Sequence, residues 1–163
     1  MSRKKVGIIL VSTLIIFIIA LVVICSPEPT ELPSITNEEQ NYISAFQDNG
    51  ATVGNAFEEL SILMSNPQIG VDEWTLKVAT QLTIIRLAHD EAIQMNPPAS
   101  MVHIHSKYIQ AMSEFNDATY LITSGIDNLD STLLEEATNK MDEGTQYINE
   151  VTTLMEAFMA SHK

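Results

Sequence analysis

Residues 130–158, DSTLLEEATNKMDEGTQYINEVTTLMEAF, decide the fold. Leu134, Ala137, Met141, Gly144, Ile148, Val151, Met155 and Phe158 recur at intervals of 3, 4, 3, 4, 3, 4 and 3. Such spacing keeps one apolar stripe on one side of an α-helix, and a seven-residue repeat lets helices pack side by side at a shallow angle. Asp130 or Ser131 can cap this helix, with Glu135 and Glu136 just inside its positive end.

Three more stripes precede it in the same phase. Thr36 or Asn37 can cap a first helix, whose inner positions are Ile43, Phe46, Gly50, Val53, Phe57, Leu60 and Met64. Asp48-Asn49-Gly50 is turn-like, but the phase continues through it, so one helix with room for a kink is expected. Asn66-Pro67 ends that helix. Val71 or Asp72 opens a second, with Trp74, Val78, Leu82, Ile85, Ala88, Ala92 and Met95 inside, and Asn96-Pro97-Pro98 stops it. A third is expected from Pro98 to Gly125, striped by Met101, Ile104, Tyr108, Ala111, Phe115, Ala118 and Ile122, with Ile126–Asp130 as the following turn. Short connections force long helices to run antiparallel to their neighbours, so the reading is an all-α, up-down-up-down antiparallel four-helix bundle over residues 37–163. Gly50 and Gly144 each weaken a helix by about 1 kcal/mol relative to Ala, and close backbone approach is the expected return.

Ahead of the bundle lie a membrane segment, 1–25, and a Pro-rich extended linker, 26–36. Arg3-Lys4-Lys5 precedes nineteen uncharged residues, Val6 to Ile24, polar only at Ser12 and Thr13. As a helix these rise ~28 Å, the depth of a bilayer's hydrocarbon core. Basic residues stay cytoplasmic, so a single-pass signal anchor with the N-terminus inside and the rest extracytoplasmic is expected. A cleaved signal has a shorter apolar core and small residues before the cut, and Val22-Val23-Ile24 offers none. Cys25, the single cysteine, stands where a lipoprotein carries its lipid, which keeps lipidation at Cys25 as the alternative. No intrachain disulfide can form, so the core must hold the fold alone.

Beyond Cys25, five basic residues (Lys77, Arg86, Lys107, Lys140, Lys163) stand against 21 acidic ones, a balance of −16. Nucleic acid and anionic lipid select clustered Lys and Arg and are not expected partners. The acidic residues are scattered rather than set in a calcium loop, and their main consequence is a solvated exterior. The absence of any Asn-x-Ser/Thr sequon favours a prokaryotic source.

Few residues invite chemistry. His103 and His105 sit two apart and point about 200° away from each other on a helix, so they cannot share an ion. His103 belongs to the solvent side and His105 to the core edge; His89 lies near the inner face of the second helix, beside outward Asp90 and Glu91. A copper or zinc site pairing His105 or His89 with methionines is the weaker alternative, because Met64, Met95, Met101, Met141 and Met155 fall on core stripes, where Met is filler. Di-iron Glu-x-x-His, haem-attaching Cys-x-x-Cys-His, Gly-x-Ser-x-Gly, phosphate-loop and His-Glu-x-x-His motifs are all missing. No catalytic residue, cofactor or metal is assigned, and the chain is read as non-enzymatic.

Pro97-Pro98, His105, Ala111, Asp130, Ala137 and Gly144, spread over helices three and four, resemble small membrane-tethered helical domains of unknown function in bacteria and archaea, many of them lipoproteins. That resemblance implies a tethered bundle and carries no activity with it. The expected role is an extracytoplasmic module that binds another envelope protein; a ligand-sensing ectodomain acting through a partner chain is the alternative, and metal handling a third.

Overall fold

The structure is a computed structural model and describes residues 35–162; the membrane segment, Cys25 and nearly all of the linker lie outside the described residues. Four α-helices follow one another, α1 Asn37–Ser65, α2 Asp72–Gln94, α3 Val102–Asp127 and α4 Ser131–Ser161, with a 3-10 turn Ala99–Met101 ahead of α3. The described residues contain no β-strand, so the fold is all-α. None of these helices is long and apolar enough to cross a membrane.

Local chemistry sets the helix ends. Thr36 caps α1 in a capping box: Glu39 N–H donates to Thr36 Oγ1 at 3.2 Å, and Thr36 N–H donates back to Glu39 Oε2 at 2.9 Å. Asp130 caps α4, its Oδ1 accepting from Thr132 N–H at 2.8 Å. Val71 precedes α2 without a side-chain cap, while Asp72 and Glu73 lie at the positive end of that helix. The α-helical part of the third helix starts later than expected, at Val102, because Pro98 leads into the 3-10 turn first. It also runs two residues past Gly125. Its end is a Schellman closure, with Asp130 N–H donating to Gly125 O at 2.9 Å and Leu129 N–H to Ile126 O at 3.3 Å.

Helix α1 continues through Asp48-Asn49-Gly50 without a break. The turn-like signal there comes from a residue that serves the core instead. Asn49 is buried, 4% exposed, and spends its amide on hydrogen bonds inside the protein. The expectation for the two glycines divides. A Cβ on Gly144 would sit 2.5 Å from Phe115 Cε1 and 3.1 Å from Ala111 O, so α4 approaches α3 as only glycine permits. A Cβ on Gly50 would meet nothing nearer than Tyr108 Oη at 4.0 Å, so close approach does not explain Gly50.

Contacts between side chains give the helix directions. Trp74 Nε1–H donates to Leu63 O at 3.0 Å and Asn49 reaches Ala88 O at 2.9 Å, so α2 runs antiparallel to α1. Lys107 meets Glu150 and Lys140 meets Glu114, both at 2.7 Å, so α4 runs antiparallel to α3. Tyr42 faces His105, Phe46 faces Tyr108 and Phe57 faces Phe115, which makes α1 and α3 parallel. Backbones come closest between α3 and α4. One apolar cluster joins all four helices, built mainly from the predicted stripes, with Tyr42, Ala56 and Met112 as members outside them; Phe46, Ile85, Met101, Ala111, Met112 and Val151 are fully enclosed in it. Ile43, Met64, Met95 and Met141 pack against its margin, half-buried.

Candidate functional site

The histidines expected to matter are placed separately. His103 is exposed. His105 is half-buried, and its Nδ1 shares a hydrogen bond of 2.9 Å with Tyr42 Oη. Burial pulls the His105 imidazole below its usual pKa and pushes the Tyr42 phenol up to about 12. His89 Nδ1 lies 3.2 Å from Asp90 Oδ1, an i to i+1 contact at the surface of α2. Among the described residues no three His, Cys, Asp or Glu side chains come together in a way that could hold a metal ion. Cys25, the candidate lipid carrier, lies outside the described residues.

Two polar clusters that sequence periodicity does not reveal join the helices, one inside the bundle and one at the end where α1 starts. In the first, Tyr108 Oη donates to Asn49 Oδ1 at 2.6 Å, and Asn49 Nδ2 donates to Ala88 O at 2.9 Å and to Glu91 Oε2 at 3.3 Å. It ties α1, α2 and α3 together, and burial raises the Tyr108 phenol far beyond its normal range. In the second, Glu39, 6% exposed, accepts from Thr36 and from Ser100 Oγ, the latter at 2.5 Å. The Ser100 and Thr36 hydrogen bonds hold its carboxyl below the usual range and join the start of α1 to the turn before α3. Every buried side-chain polar atom described has a partner. These clusters therefore read as structural ties.

Arg86 spans α2 and α3 without a carboxylate. Its Nε–H donates to Thr119 Oγ1 at 2.7 Å, its Nη2 to Thr119 O at 3.2 Å and Thr123 Oγ1 at 2.9 Å, and its guanidinium stacks on Tyr120 at 4.1 Å.

The loop end of the bundle presents several large apolar side chains to solvent. The α1–α2 and α3–α4 loops fall at the same end because α1 and α3 are parallel, and this end is opposite the start of α1. Ile62 (59%), Ile69 (51%), Val71 (46%) and Leu129 (72%) are all exposed there. Asp72, Glu73, Asp127 and Asp130, in or beside the same two loops, are exposed too. Leu129 has φ 53° at the position after the Asn128 cap, where glycine is the usual occupant; a side chain there costs roughly 1–2 kcal/mol. The sequence signal for it is a Schellman closure without its glycine, which heptad counting passes over. Compared with protein-family models, curated proteins and solved structures, the chain matches none.

Proposed function

We propose that this chain is a non-enzymatic, membrane-tethered extracytoplasmic module that offers the loop end of its bundle to another envelope protein. Residues 6–24 form the tether, as a transmembrane signal anchor, and the four helices form an up-down-up-down bundle that carries the loop end away from the bilayer. The observation that carries this reading is Leu129: a strained left-handed leucine, 72% exposed, contributes little to the core and would be better replaced by glycine if stability were its purpose. Ile69 and Val71 are exposed at the same end of the bundle, as are acidic Asp72, Glu73, Asp127 and Asp130. The matching partner surface combines apolar side chains with Lys and Arg.

Crosslinking and pull-down from native membranes test this with wild type and Leu129→Gly. The variant is expected to fold with equal or higher thermal stability and to lose the partner that wild type captures. An unchanged set of crosslinked partners in the variant overturns the reading. Mass spectrometry of the membrane-extracted chain tests the tether: an intact Met1 is expected, and a diacylglyceryl Cys25 overturns the anchor in favour of a lipoprotein.

A further inference from the structure

Helix α2 has a second apolar stripe, on the side away from the core. Leu76 (68% exposed), Thr80, Thr83 and Leu87 (56% exposed) follow at intervals of 4, 3 and 4. They fall within about 60° on a helical wheel, nearly opposite the inner stripe of Trp74, Val78, Leu82 and Ile85. Thr80 Oγ1 donates to Leu76 O and Thr83 Oγ1 to Ala79 O, both at 2.8 Å. With their hydroxyls spent on their own helix, both threonines have chiefly a methyl group left to offer a neighbour. The exposed face of α4 has no large apolar residue, so this stripe is a property of α2 and not of every helix in the bundle.

We propose that this stripe is a self-association surface, and that its occupant is the α2 of a second copy lying antiparallel. The order Leu, Thr, Thr, Leu reads the same in both directions. A two-fold axis crossing α2 between Gln81 and Leu82 therefore sets Leu76 against the partner's Leu87 and Thr80 against the partner's Thr83. A two-fold interface requires such self-complementarity. Charge points to the same place: the part of the chain beyond Cys25 carries −16, so two copies repel across most of their surface, and these four positions carry no charge. At the ends of the stripe the axis sets Glu73 opposite the partner's Asp90; Glu73 is paired with Lys77 at 2.7 Å, and Asp90 lies 3.2 Å from His89 Nδ1. The 23 residues of α2 span ~34 Å, and a strip ~10 Å wide gives about 350 Å². A stable dimer buries about 800 Å² per partner, so the pair is weak and forms at high local concentration, as on a crowded membrane.

Disulfide trapping of the full chain in detergent micelles tests this. Leu76→Cys and Leu87→Cys chains are prepared separately, each with Cys25→Ser, and oxidised alone or mixed. In the antiparallel pair Cα atoms at positions 76 and 87 face one another, whereas two copies of position 76 lie ~16 Å apart, beyond the ~7 Å a disulfide spans. The expected result is a mixed 76–87 crosslink forming about tenfold faster than either homotypic one, and faster still when added salt screens the acidic repulsion. Both variants are at exposed positions, and unchanged thermal midpoints verify their folding. Homotypic crosslinks as fast as the mixed one, or no crosslink in any combination, overturn the proposal.

Discussion

The two hairpins of this bundle hold together by different means. Between α3 and α4 the means is small size: Gly144 lies against Phe115 and the Ala111 carbonyl, Gly125 lies against Leu134, and Ala137 is buried nearby. Close backbones maximise dispersion contacts, and the surface pairs Lys107–Glu150 and Lys140–Glu114 flank the seam. Between α1 and α2 the means is side-chain reach: Trp74 bonds to Leu63 O, and Asn49 bonds to Ala88 O while accepting from Tyr108. The outward faces differ as well. Helix α4 keeps its large apolar side chains away from solvent, whereas α2 exposes Leu76, Leu87 and Ile93. A helix with one apolar stripe is satisfied by its own bundle, and a helix with two has surface left for a neighbour.

The sharpest way to break the α3–α4 seam is Gly144→Val. The added carbons meet Phe115 and the Ala111 carbonyl, so a loss of about 3 kcal/mol in urea unfolding is expected. On the other side, Tyr108→Phe leaves Asn49 Oδ1 without that donor in a buried site; a loss of about 1–2 kcal/mol is expected, and a neutral result would mean that the polar tie does not hold α1 to α3. Gly50→Ala should act in the opposite sense to substitution at Gly144 and raise stability by about 0.5–1 kcal/mol, since the new methyl meets only Tyr108 Oη, at an ordinary contact distance of 4.0 Å, and the helix gains propensity.

Acid sharpens the comparison further. The His105 imidazole has its pKa lowered by burial, so the neutral form is favoured in the folded state. Its contribution is complete above the unfolded value of about 6.5 and is lost as pH falls below it. Glu39, lowered by hydrogen bonds from Ser100 and Thr36, contributes above the unfolded carboxylate value of about 4.5, and that contribution is lost as pH falls through its lowered value. Both groups lie where α1 meets α3 or the turn before it. Hydrogen exchange should therefore show α1 loosening before the α3–α4 seam as pH drops, and His105→Asn should remove the earlier step.

Stripe positions, helix count, turns and caps were legible in the chain because they depend on local spacing. Residues 3 and 4 apart share a helix face wherever the helix is placed, and Thr36 and Asp130 cap by bonding within their own first turn. The tertiary structure decided what depends on distance between helices. Asn49-Gly50 reads as a possible turn until Tyr108 and Ala88 are brought to Asn49. Gly50 and Gly144 occupy equivalent stripe positions, and only the neighbour facing each shows that one is required and the other is not. Glu39 stands close to a helix start, where sequence places it at the positive end of α1; that it is also buried depends on Ser100, 61 positions away, which donates to it. The inward face of α2 follows from its periodicity, but that Leu76 and Leu87 on its other side meet no neighbouring helix is decided by how the helices pack.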